Sequence, residues 1–194
     1  MNARRGGGGA LTSALLLLWL MLLPVACRKA VPAAEADRIR TEARTLRDSA
    51  DAAWTAMMAS DDAKIDNLGR FLQELSYSDS VNVITLEGLR ARHAALRDQR
   101  YDQNTMADAE IDRYDAATDA LLRDAYALAA NTPGFERFLA GEQLAREIKA
   151  ADDSIIYYRV RYDQQAARYN EHLEAHAAQL EGGADPLPVF TLSE

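Results

Sequence analysis

From position 34 to position 76 apolar side chains recur three, four and seven residues apart. Ile39, Leu46, Ala50, Ala53, Trp54, Met57, Met58, Ile65, Leu68, Leu72 and Leu75 form one stripe, with Arg, Asp and Glu on the other side. That spacing predicts an amphipathic helix over 34–76, roughly 60 Å long at 1.5 Å per residue. Ser60-Asp61-Asp62 and Gly69 interrupt the pattern, and a kink is expected at one of them. SYSDSVNV, residues 76–83, then reads as a turn, because its Ser, Asp and Asn side chains bond their own backbone.

A second helix is predicted over 84–100, weakened at Gly88, and YDQNT makes a second turn. Thr105 with Asp108 three residues on resembles a capping box. It opens a third helix over 106–130 with Ile111, Tyr114, Ala117, Leu121, Leu122, Ala125 and Leu128 on one side. At NTPG, Thr132 is the expected cap and Pro133 the first helical residue, where its missing N–H costs nothing. A single last helix is predicted over 135–180, stopped by Gly182-Gly183 and by the two prolines of DPLPVF. Short turns between long helices make antiparallel neighbours. The predicted fold is all-α, an elongated antiparallel bundle of three to four long helices with coiled-coil-like spacing. VNVIT is the one strand candidate, and it is short and isolated.

The first 27 residues differ. Arg4 and Arg5 precede the uninterrupted run LTSALLLLWLMLLPVA and then Cys27, the only cysteine of the 194 residues. A basic start, an apolar stretch and a small residue before a cut form a secretory signal pattern. A lone Cys after Ala26 looks like a bacterial lipoprotein cleavage site, although Pro24 stands where such sites favour Leu. The other reading is an uncleaved helix, for which the run falls short of the roughly 20 residues that span a bilayer. Both place the chain on a membrane, through a lipid on Cys27 or through the helix, with the remainder outside the cytoplasm. The expected organisation is an anchor over 1–27, a tether over 28–34, a helical domain over 35–181 and a tail over 182–194. An intramolecular disulfide would need a second Cys, so none is expected.

Charge narrows the partners. The chain carries 22 basic against 30 acidic residues, and both charged leader residues are basic, so the part beyond Cys27 has a formal charge of −10. Nucleic acid, which needs basic stripes, is excluded as an expected partner, and so is flat docking on anionic lipid. Other envelope proteins, or a second copy of the chain, remain.

RYNEHLEAH, residues 168–176, sets His172 and His176 four apart, one helical turn, where both could face a metal. Two imidazoles make at most half of a zinc shell, and His93 stands in another predicted helix. The motif also lacks the Glu directly after the first His that a zinc protease needs. Packed histidines near a helix end are the simpler reading, so no metal, no cofactor and no catalytic set is expected. Every seventh residue from Ile148 gives Ile155, Tyr162, Tyr169 and His176; the row three later gives Ala151, Tyr158, Gln165 and His172. An aromatic row at helical spacing is core far more often than pocket. The alternative is a ligand groove lined by Tyr157, Tyr158, Tyr162 and Tyr169.

RYDQQAARYN, residues 161–170, resembles the twin Tyr-Asn repeat late in the LemA family. Ile155, Arg159, Tyr162, Tyr169 and Asn170 match it, and Asp163 replaces the first Asn. NTPGFERFL, with Pro133, Phe135 and Phe138, is similar to the segment before that family's last helix. DPLPVF, with Pro188 and Phe190, is similar to its tail. AAWTAMM and Asn67-Leu68 resemble its earlier part, with Asp66 at a Pro position. The resemblance implies a membrane-anchored, extracytoplasmic antiparallel helical protein with no settled catalytic activity. A lipid on Cys27 would depart from the family's uncleaved N-terminal helix. A buried Tyr followed by Asn also suggests a polar layer that sets register inside a bundle. The expected role is a scaffold or protein-interaction module of the cell envelope; the alternative is an anchored binder of a small ligand or metal at the Tyr and His end of the last helix.

Overall fold

A computed structural model describes residues 32–180 and 184–190. The signal-like leader, Cys27 and Gly182-Gly183 lie outside the described residues. Within them the secondary structure is helical and no strand occurs. The elements are α1 (Ala33–Leu75), α2 (Val83–Leu96), α3 (Asp108–Ala130), α4 (Leu139–Asp153) and α5 (Ile155–Ala175), with 3₁₀ turns at Arg97–Gln99 and Phe135–Arg137.

The contacts of α1 give the direction of every other helix. Going back along α1 from Asp66 to Arg47, the partners advance along the chain. Arg97 meets Asp66 at 2.7 Å, Arg100 meets Asp62 at 2.9 Å, and Asn104 meets Arg47 at 3.2 Å. α2 and its exit therefore run against α1. α3 runs with it: Tyr114 bonds Asp61, and the Tyr126 ring lies 5.6 Å from that of Phe71. α4 and α5 run against it again. Phe135 meets Phe71 at 5.6 Å, Glu147 meets Asn67 at 3.1 Å, Tyr162 meets Trp54 at 5.2 Å, and His172 meets the Ile39 carbonyl at 3.1 Å. Apolar residues of α1, α2, α3, α4 and α5 share one core, and Leu187 and Phe190 join it.

The predicted stripe of α1 is its buried face, with Phe71 added. Neither expected kink breaks the helix. Asp61 is instead buried and bonded across the core. Gly69 is where another side chain comes close, since a Cβ there would stand 2.9 Å from His93 Cε1. α2 is capped by Asn82, whose side-chain oxygen accepts from the Thr85 N–H at 3.0 Å, and it ends at Leu96 in a 3₁₀ turn rather than running to 100.

Four predicted helix features are corrected. α3 starts at Asp108 with Ala107 at its N-cap, so Thr105 forms no capping box. Thr132 serves the helix behind it: its hydroxyl donates to the Leu128 carbonyl at 2.8 Å. Pro133 opens no α-helix, because Gly134 at φ 81° turns the chain in the left-handed region and a 3₁₀ turn follows. The long last helix is two helices, broken at Ser154, and the second stops at Ala175 instead of 180. The Ser154 hydroxyl donates to the Ala150 carbonyl at 2.7 Å, the i−4 back-bond that bends helices.

Candidate functional site: a helix face that holds the C-terminal segment

The Tyr-Asp and Tyr-Asn pairs of α5 stand seven residues apart, about 10.5 Å along the helix. An extended chain covers nearly the same distance in three residues. Residues 187 to 190 use that match. The Asn170 amide clamps Leu187 from both sides, donating to its carbonyl at 2.7 Å and accepting from its N–H at 2.8 Å. One repeat back, Asp163 accepts from the Phe190 N–H at 2.9 Å. Between them the Tyr162 hydroxyl donates to the Pro188 carbonyl at 3.0 Å. Pro188 has no N–H to leave unpaired, and a residue before proline prefers extended backbone, which suits Leu187. The segment thus lies antiparallel to α5.

Two side chains anchor it. Leu187 is buried, and Phe190 enters a box made by residues far apart in sequence. Its ring stacks on Trp54 at 6.5 Å and meets Tyr101 and Tyr162 edge-on at 5.9 and 5.8 Å. The Arg159 guanidinium lies 4.9 Å from the Phe190 ring centre, a cation–π contact. Arg159 also donates to Asp115 at 2.7 Å and to the Tyr101 hydroxyl at 3.3 Å, while its buried Nε has no partner among the described residues. Burial opposes the charge of Arg159, but Asp115 and the Tyr101 hydroxyl together outweigh it, so its pKa is raised and it stays a cation. Burial pushes the Tyr162 phenol up to about 12. Burial also raises the Asp163 carboxyl, opposed by the bond from the Phe190 N–H.

Of the residues in the Tyr-Asn motif, Arg159, Tyr162 and Asn170 meet the tail directly. Tyr169 is buried with the Arg47 guanidinium 5.9 Å from its ring, and Ile155 packs partly buried against the core. The expected register-setting polar layer takes the form of bonds from Asn170 and Asp163 to the backbone of the tail, not to another helix. The four-tyrosine groove is not assembled either, because Tyr162 is fully buried and bonded while Tyr157 is 62% exposed. Asp163 had no role assigned from sequence. Its position seven residues before Asn170 was the available signal.

His172 and His176 do come together, with ring centres 4.6 Å apart. The Nε2 of His172 lies 3.1 Å from the Ile39 carbonyl, which can only accept, so that nitrogen carries the proton and is closed to a metal. His176 stands just past the end of α5. His93 bonds the Ile65 carbonyl at 2.8 Å, 26 residues along α1 from Ile39, about 39 Å away on a straight helix. No cluster of three or more His, Cys, Asp or Glu side chains that could hold a metal occurs among the described residues.

A second polar group lies deeper. Asp61, 4% exposed, accepts from the Tyr114 hydroxyl and from Arg100 at 3.2 Å, with Lys64 Nζ 3.5 Å away. Lys64 is itself buried and reaches Asp152 at 3.3 Å. Burial first, and then the Asp61 charge, hold the Tyr114 phenol protonated far above its usual range. Each member has a partner, so the group ties α1 to α3, α4 and the end of α2. Periodicity did not single out Asp61 and Lys64, although both fall in the phase of the buried stripe between Met57 and Leu68.

The molecule is thus an all-α protein whose late helix holds its own C-terminal segment by main-chain recognition and an aromatic anchor. Comparison with family models, curated proteins and solved structures finds no match.

Proposed function

We propose that this chain is a membrane-anchored, non-enzymatic interaction or scaffold protein of the cell envelope, of the LemA type, held by its N-terminal leader. The observation that carries the reading is the placement of exposed apolar side chains. Tyr77, Val83 and Ile84, at the turn between α1 and α2, and Leu139, where α4 begins, are 59–88% exposed. Both connections lie at the Leu75 end of α1, since α2 leaves there and Phe135 packs on Phe71. α1 sets them about 65 Å from its first residues at 1.5 Å per residue. Among the described residues, four of the eight exposed large apolar ones thus gather at this end, the others being Ile156, Tyr157 and Val160 on α5 and Val189 on the tail, and such a cluster suits a surface for protein partners. Among the described residues no helix is long and apolar enough to cross a membrane; the proposed attachment is through the leader or a lipid on Cys27.

The test is crosslinking in intact cells, comparing wild type, Cys27→Ser and Ile84→Asp/Leu139→Asp. One envelope protein recovered with wild type and lost with both variants supports the proposal. Recovery unchanged in the double variant would show that the exposed end is not the docking surface. A fractionation in which wild type never sediments with membranes would sink the anchored reading.

A further inference from the structure

We propose that the site on α5 also seats the C-terminal segment of a second copy, so that two chains pair by exchanging residues 184–190. This names a partner for an interaction protein, but it rests on the tail site alone and not on the anchor.

The recognition is of a kind that works between molecules. Asn170 and Asp163 read main-chain groups at a three-residue interval, and the Trp54, Tyr101 and Tyr162 box takes the one aromatic side chain. These are the elements of peptide recognition: backbone hydrogen bonds for affinity, a pocket at a fixed spacing for specificity. A tail arriving from another copy would make every one of these contacts unchanged. Exchange of an identical terminal element is a low-cost route to a dimer because no new surface has to evolve. The segment's own side chains fit the site closely: Leu187 and Phe190 are 3% and 7% exposed when seated. Two consecutive glycines, Gly182 and Gly183, join the segment to the helices. A tail seated in its own chain competes with one arriving from a second copy. Pairing therefore grows with local concentration, as on a crowded membrane.

Complementation tests this directly. Leu187→Asp/Phe190→Asp keeps the site and spoils the tail, while Asp163→Ala/Asn170→Ala keeps the tail and weakens the site. Each full chain alone is expected to be a monomer by light scattering. Their mixture is expected to form a one-to-one dimer that excess synthetic peptide of residues 184–194 returns to monomers. Both variants are first checked for wild-type helicity by circular dichroism, and Phe190→Ala replaces the tail variant if that one unfolds. The proposal is overturned if the folded variants stay monomeric together at millimolar concentration. It is equally overturned if either variant associates alone, or if the peptide fails to displace the pair.

Discussion

At the scale of single residues the main expense of this fold is charge inside the core. Asp61 and Lys64 are 4% and 5% exposed, and burying an ion without partners costs several kcal/mol. Tyr114, Arg100 and Asp152 supply those partners. Asp61→Ala is expected to lower unfolding free energy by about 3–5 kcal/mol, because it strands Arg100 and Lys64. Tyr114→Phe, which removes one hydroxyl, is expected to cost about 1–3 kcal/mol; urea denaturation of both variants checks the order. The phenols add a pH dependence. The folded state holds the Tyr162 proton up to about 12, whereas the unfolded chain loses it near 10. Stability from this group is therefore intact below pH 10 and lost as pH climbs through 12, a change of about 2–3 kcal/mol. In alkaline denaturation the stability of Tyr162→Phe should fall less steeply with pH than that of wild type. These residues were partly legible in the sequence. Positions 61 and 64 share the phase of the stripe, but Ser60-Asp61-Asp62 reads as an interruption and Lys64 as a surface residue until their partners from α3, α4 and the turn after α2 are known.

At the scale of elements the two helical glycines make opposite predictions. A Cβ added at Gly88 would meet nothing within 4 Å, so Gly88→Ala is expected to stabilise by about 1 kcal/mol through helix propensity alone. A Cβ added at Gly69 would stand 2.9 Å from the His93 ring, so Gly69→Ala must displace a side chain that bonds the Ile65 carbonyl. It is expected to forfeit the propensity gain and lower the melting temperature, and His93→Ala is expected to relieve that loss. Thermal melts of the three variants check it. Sequence could not separate these glycines, since both interrupt helical runs. The break at Ser154 was hidden for a related reason. Seven-residue spacing carries straight through it from Ile148 to Tyr162, and a one-residue interruption hardly disturbs the phase.

At the scale of the whole molecule the tail closes the structure. Phe190→Ala removes the ring that stacks on Trp54 and is expected to cost about 3–5 kcal/mol. Trp54, the only tryptophan beyond the leader, should then emit further to the red. Asn170→Ala removes both bonds to Leu187 and is expected to cost about 1–3 kcal/mol. Its diagnostic is local: hydrogen exchange at the Leu187 and Phe190 amides should speed up while the middle of α1 stays protected.

Periodicity by itself determined the all-α class, the buried face of α1 and the approximate extent of the first three helices, because those follow from interactions between residues three, four and seven apart. It also put Tyr162 and Tyr169 in one row, whereas Arg159 and Asn170 stood out only through the resemblance to a family's Tyr-Asn repeat. What they hold was decided only in three dimensions. Seven residues of helix and three of extended chain span nearly the same length, and that coincidence brings Asn170 to Leu187 and Asp163 to Phe190 across 17 and 27 residues of sequence. The aromatic box likewise takes Trp54 from α1, Tyr101 from the turn after α2, Tyr162 from α5 and Phe190 from the tail. No local pattern encodes a contact between such distant positions; it exists because α5 runs back along α1 and leaves a face that the tail completes.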